Sequence, residues 1–262
     1  MIKETEKINE HGLTIGWLYP DLMSIYGDRG NIITLQKRCE ARGIKTIIKN
    51  ISLQTPPSNL ETCDMLFMGG AQDSQQNIVS ADLKGEKKVT LSKMIEDGIP
   101  GLYICGAYQL LGKHYEEADG LIIKGLGILD LYTKNPGKDY RRLVGNVAVE
   151  LNQKLFSGTG NFPLIGFENH GGRTYLGKNL EPLGTIRKGF GNNGEDSGEG
   201  AVYKNSIGSY LHGPILPKNP ELADWLIDKA LEKKYSRHIE LEKLDDALSF
   251  KARAGILKRI LD

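Results

Sequence analysis

Apolar residues in the first half of this 262-residue chain gather in short runs separated by turn residues. Residues 13–19 form the first run, closed by Pro20, and their composition predicts a strand. Residues 44–51 are β-branched and predict a second. The run 64–68 (DMLFM) is short and almost wholly apolar, as a strand covered on both faces is, and it ends at Gly69-Gly70. A fourth strand is expected at Leu102-Tyr103-Ile104. Helical spacing lies between these runs, over residues 32–42, capped by Asn31 and stopped at Gly43, and over residues 91–97. Pro56 and Pro57 mark a loop. Alternating strands and helices over the first 115 residues imply a parallel sheet with right-handed crossovers.

The pattern changes after that. Residues 125–132, 143–151, 164–168 and 201–203 read as strands joined by glycine-rich turns, which fits a more antiparallel second half. Residues 206–212 predict a further strand, 221–233 an amphipathic helix, and 241–261 a charged helix, expected as an exposed arm. The stretch 189–200 (GFGNNGEDSGEG) is expected to be a flexible surface or substrate-side loop, because its acidic positions do not match a calcium loop. With no internal repeat, the chain reads as a polar tail (1–12), one α/β domain (13–235) and a helical extension (236–262). The fold class is α/β, a mostly parallel central sheet flanked by helices.

Composition narrows the function classes. At 39% hydrophobic and 26% charged residues the chain has a globular profile, and its net charge of +1 offers no field for nucleic acid or anionic membrane. Cys39, Cys63 and Cys105 have no metal-type spacing, so no metal site is expected and a reducing compartment is. The charged N-terminus lacks an apolar signal segment, and no run approaches the roughly 20 apolar residues that span a bilayer. A cytoplasmic protein that does not span the membrane is expected.

Cys105 stands at the sharpest predicted turn, between an apolar strand and a helix opening at Ala107, with Gly106 between. That is the logic of a nucleophile elbow, where the helix N-terminus and nearby amides favour a thiolate. A buried small residue in a strand–turn–helix explains the local pattern equally well. His170 and His212 each follow a predicted strand and precede glycine, which puts both near a sheet edge where sites form. Either histidine is placed to move protons for a thiol, whereas His11 and His238 are expected to be solvated. An oxyanion would need amides from Gly70 and from Gly106, the residue after the cysteine. No phosphate loop, HExxH or CxxC motif occurs, so nothing supports ATP consumption within this chain.

The motifs FMGG (67–70), PGLYICGAYQLLG (100–112) and SYLHGPILPKNP (209–220) resemble class I glutamine amidotransferases of the cobyric acid synthase (CobB/CobQ) type. The further motifs GLGILDLYT (125–133), RRLVGN (141–146), GFENHGGRTY (166–175) and GFGNNGEDSGEG (189–200) resemble the glutaminase subunits of lipid II isoglutaminyl synthases. The resemblance implies a class I amidotransferase fold and glutamine hydrolysis. It implies Cys105 as nucleophile, His212 as general acid and base, Arg142 as the group binding the glutamine α-carboxylate, and Gly70 and Gly106 as oxyanion amides. It also implies a Mur-ligase-like (MurT-like) partner subunit that holds ATP and magnesium and amidates the D-glutamate of lipid II with the ammonia supplied. This chain would need no cofactor of its own. Supply of ammonia to a corrinoid-type acceptor and a catalytically silent binding subunit are the rival expectations. His170, Glu168 and Arg173 are read as scaffold or interface, and the YGDRGN loop (26–31) as a capping turn. Pro214 stands where the usual triad glutamate would be, so a third member is expected from elsewhere in the chain or from the partner.

Overall fold

The apolar runs of the first half pair edge to edge. In the computed structural model, which describes residues 11–156 and 162–262, β1 (Gly12–Leu18), β2 (Lys45–Ile51), β3 (Met65–Met68) and β4 (Gly101–Ile104) lie parallel in one six-stranded sheet. The strand β14 (Ser206–Ser209) adds parallel to β4, and β13 (Ala201–Tyr203) closes that edge antiparallel, giving the order β2-β1-β3-β4-β14-β13. Every residue of β3 and β4 is buried, as helices on both faces require.

The helices differ from the sequence expectation in several places. The first, α1 (Arg29–Glu40), starts earlier than residue 32, and Asn31 is no cap. It lies buried in the first turn, where its Oδ1 accepts the Leu216 N–H at 3.0 Å. The prolines expected as loop instead open α2 (Pro57–Glu61), since a missing N–H costs nothing at the first helical position. A helix not foreseen, α3 (Asp73–Asp82), follows β3, and α4 (Gly85–Glu96) extends the helix expected over 91–97. The helix after β4 is α5 (Gly106–Leu111).

Two four-stranded sheets make up the second half. One joins β5 (His114–Glu116), β6 (Ile122–Lys124), β7 (Leu131–Lys134) and β10 (Arg173–Leu176) in the order β10-β7-β5-β6. The other is antiparallel throughout, β12-β11-β8-β9, from β8 (Leu143–Leu151), β9 (Pro163–His170), β11 (Gly184–Lys188) and β12 (Gly198–Glu199). The strand expected over 125–132 shrinks to β7, because the N–H groups of Leu126 and Ile128 instead cap the carbonyls of Leu110 and Leu111 at the end of α5. Nor is 189–200 a loose loop. Buried Glu168 accepts the N–H groups of Phe190 (2.8 Å) and Gly191 (3.0 Å), and Asn192 bonds both the N–H and the carbonyl of Gly200.

At the C-terminus, α6 (Pro220–Tyr235) packs on α1, and α7 (Ala247–Leu261) begins later than residue 241. It is held rather than free: Arg253 pairs with Glu221 of α6, and Arg38 of α1 bridges Asp224 and Asp246. Residues 1–10 of the expected tail lie outside the described residues, while Gly12 already begins β1. His11 is buried against the Tyr235 ring, 4.7 Å between centroids, and not solvated. Among the described residues no helix is long and apolar enough to cross a membrane.

Candidate active site

Cys105 occupies the turn between β4 and α5 with φ 52° and ψ −105°, a left-handed conformation that costs a non-glycine residue about 1–3 kcal/mol. The turn is fixed from both sides. The Cys105 N–H donates to the Ser209 carbonyl (2.8 Å), and the Gln109 N–H donates to the Cys105 carbonyl (2.9 Å). Backbone strain at a strand-to-helix turn is the geometry of a nucleophile elbow. The side chain borders a cavity of about 310 Å³, a size at the lower end of ligand pockets.

His212 reaches the same place from the end of β14. Its backbone is locked to Phe167 of β9 by a pair of hydrogen bonds, N–H to carbonyl at 2.8 and 3.2 Å. The imidazole Nδ1 faces Asp28 Oδ1 at 3.2 Å, and both side chains are fully buried. Nε2 is buried with no hydrogen-bond partner among the described residues. Burial pushes the imidazole down, but the neighbouring Cys105 sulfur and Asp28 outweigh it and hold His212 up to about 10. A cysteine, a histidine and a carboxylate are thus neighbours in one buried group, with the carboxylate fixing the imidazole orientation.

Asp28 is the residue that sequence reasoning missed. It comes from the YGDRGN loop just before α1, and the loop is more than a capping turn. The place of the absent triad glutamate is filled by Pro214, which packs against that loop: a Cβ on Gly30 would lie 2.4 Å from Pro214 Cγ. The proline therefore supports the segment that carries Asp28.

Gly70 requires a correction. Its N–H donates to Asp28 Oδ2 at 2.7 Å and so is not aimed at Cys105 as an oxyanion donor. What Gly70 provides is room, because a Cβ there would lie 2.7 Å from His212 Cε1. The next amide, Ala71 N, makes no backbone hydrogen bond among the described residues. It lies 3.1 Å from where a Cβ on Gly106 would stand, so the lack of a side chain on Gly106 lets it approach Cys105. Ala71 and Cys105 both line the cavity, and Ala71 N lies against Gly106, the residue after the cysteine.

Arg142 lines the same cavity as Cys105. Asn169 sets its posture, its Oδ1 accepting from Arg142 Nε and its carbonyl from Nη2, both at 3.0 Å. Asn169 in turn donates to the Tyr26 hydroxyl at 2.8 Å, and the Tyr26 ring packs edge-on to His212, 5.0 Å between centroids. His170 is buried, stacked on Tyr210 at 3.6 Å, with Nδ1 against the Gly172 carbonyl at 2.8 Å. Burial lowers its pKa although Glu168 lies near, which suits a neutral scaffold residue on the cavity wall. Arg173 is scaffold too, donating to the carbonyls of Gly171 (2.7 Å) and Arg141 (2.7 Å).

Comparison with known proteins agrees with this geometry. Residues 14–220 match the CobB/CobQ-like glutamine amidotransferase domain. The chain is 42% identical over 249 residues to the GatD subunit of lipid II isoglutaminyl synthase (glutamine-hydrolyzing) from Staphylococcus aureus, covering 95% of this chain and 96% of that one. The Streptococcus pneumoniae protein of the same description is 41% identical over 237 residues, 90% of this chain and 87% of that one. A probable cobyric acid synthase of Methanothermobacter thermautotrophicus is 31% identical over 164 residues, 59% of this chain but only 31% of that protein. A solved glutamine amidotransferase from Thermotoga maritima shares the fold at a TM-score of 0.51 and 17% identity, with 95% and 94% of the two chains covered. The chain belongs to the CobB/CobQ-like glutamine amidotransferase family.

Proposed function

We propose that this chain hydrolyses L-glutamine and passes the ammonia to a Mur-ligase-like, ATP-dependent partner subunit, which amidates the D-glutamate α-carboxyl of the lipid II stem peptide. Near full-length similarity to two GatD subunits supports the acceptor and the partner. ATP and magnesium belong to the partner in this reading. The observation that carries the hydrolysis is the buried group of Cys105, His212 and Asp28.

Arg142 receives the glutamine α-carboxylate through its guanidinium. The Cys105 thiolate attacks the side-chain carboxamide carbon, and the Ala71 and Gly106 amides stabilise the oxyanion. As the C–N bond breaks, protonated His212 gives its proton to the leaving nitrogen, releasing ammonia and leaving a thioester. His212 then takes a proton from water, which attacks the thioester carbon. Glutamate departs, the sulfur leaves as thiolate, and the balance is glutamine plus water to glutamate plus ammonia. Asp28 holds Nδ1 throughout, so the orienting group comes from this chain.

Ammonia release from glutamine, measured with and without a co-expressed Mur-ligase-like subunit, tests the reading. Release with the partner, weaker release without it, and loss of both in Cys105→Ala are expected. No release from the wild-type complex would overturn the glutaminase. Release that survives the substitution would remove Cys105 from the nucleophile's role.

A further inference from the structure

The cavity beside Cys105 has two walls of opposite character. Arg142 presents donors on one side. The other wall is α3, whose first turns bring Asp73 and Gln76 to the cavity, one helical turn apart and on the same face. Both can supply acceptors there. Gln76 is 2% exposed, and its Nε2 donates to Gln109 Oε1 (3.1 Å) and toward the Ala71 carbonyl (3.5 Å). With the amide so oriented, Gln76 Oε1 is left buried without a hydrogen-bond partner among the described residues. Asp73 is half-buried; burial raises its pKa, while Arg142 across the cavity and the Tyr115 hydroxyl pull it back. No ion pair closes between Asp73 and Arg142 among the described residues, so the space between the two charges is open to a ligand.

A carboxylate at the start of a helix also answers the helix dipole. The dipole does not account for an orphaned buried acceptor in the next turn, nor for an arginine across the cavity. Those features match a molecule carrying an ammonium on one side and a carboxylate on the other.

We infer that Asp73, with Gln76 Oε1 beside it, binds the α-ammonium of the amino-acid substrate, so that the pocket selects glutamine by its whole zwitterion and not by its carboxamide alone. This rests on the glutaminase reading for the identity of the substrate. With Arg142 on the carboxylate and Asp73 on the ammonium, the Cα substituents are fixed in order, and only one enantiomer then directs its side chain to Cys105.

The test compares L-glutamine with glutaramate, which has hydrogen in place of the α-ammonium. Calorimetric binding is measured on the Cys105→Ala protein and on the same protein with Asp73→Asn added. In the first, glutamine binds ~10- to 100-fold more tightly than glutaramate, the range of a charge-assisted hydrogen bond. In the second, the ratio falls to within about threefold while glutaramate affinity stays unchanged. A ratio that survives Asp73→Asn, an equal loss for both ligands, or no binding of glutamine overturns the assignment. Turnover separates the two readings. Wild type that binds with the full ratio but releases no ammonia sinks the glutaminase and leaves the ammonium site standing. Ammonia release with a binding ratio near one does the reverse.

Discussion

An imidazole that both gives and takes a proton works only if its two nitrogens are told apart. Asp28 does this at Nδ1 of His212, and its second oxygen ties down the Gly70 amide, so one carboxylate fixes the base and the backbone beside it. Asp28→Asn keeps the size but loses the charge, and its amide nitrogen has to face either the ring or the Gly70 N–H. We expect kcat for glutamine hydrolysis to fall ~100-fold or more with KM little changed, the scale of lost general acid–base catalysis. The imidazole should also titrate lower by NMR, because removing Asp28 leaves burial less opposed. A kcat within twofold of wild type, or an unmoved titration, would place the orienting group elsewhere.

At the scale of elements, the sequence was legible where burial is symmetric and turns are marked. β3 and β4 are apolar on both faces and bounded by glycine or proline, and they fall where their composition put them. The elbow at Cys105 was readable for the same reason. By contrast, α3 was invisible because its inward face meets a polar cavity: its buried residues are Gln76, Val79 and Ser80, which leave no apolar stripe to read. Asp28 was hidden because its partner lies 184 residues away, and nothing local distinguishes a carboxylate that orients a histidine from one that opens a helix. The C-terminal helix looked like an arm since its own sequence is charged, yet its buried charge, Arg253, pairs inward with Glu221 of α6, and the segment before it is tied to α1. Arg38 and Arg42 of α1 share Asp224 of α6, and Arg38 also grips Asp246 just before α7. Asp224→Ala strands the buried Arg42 guanidinium and leaves Arg38 with Asp246 alone, and we expect a loss of roughly 2–4 kcal/mol in urea unfolding, somewhat below the full range for a broken buried pair because Asp224 is partly exposed. A loss under about 0.5 kcal/mol, typical of a surface pair, would show that this cluster does not hold α6 to α1.

Across the whole molecule, a large apolar core also encloses polar and charged groups. Its least comfortable member is Glu199, fully buried where β12 approaches β14. One carboxylate oxygen accepts from the Ser209 hydroxyl (2.7 Å) and the Tyr210 N–H (2.8 Å), while the other has no hydrogen-bond partner among the described residues. Burial pushes this acid up from 4.5 to about 7, against the lowering effect of those hydrogen bonds. The sign of the linkage follows. Between about 4.5 and 7 the folded state retains a proton that the unfolded chain has already released, so Glu199 weakens the fold as pH rises through that window. Asp82 acts the other way: burial would raise it, but hydrogen bonds from Lys87 and Tyr19 hold it below its ordinary value, so its contribution is lost on acidification. Glu199→Gln keeps an acceptor for Ser209 and Tyr210 and cannot ionise. Urea unfolding of wild type and variant from pH 4 to 8 should therefore diverge, with the variant gaining on wild type between about 4.5 and 7 and a constant difference outside that window. Parallel curves would mean that Glu199 is already ionised in the fold at pH 5. The proton would then have to be replaced by a cationic or hydrogen-bonding partner for the orphaned oxygen.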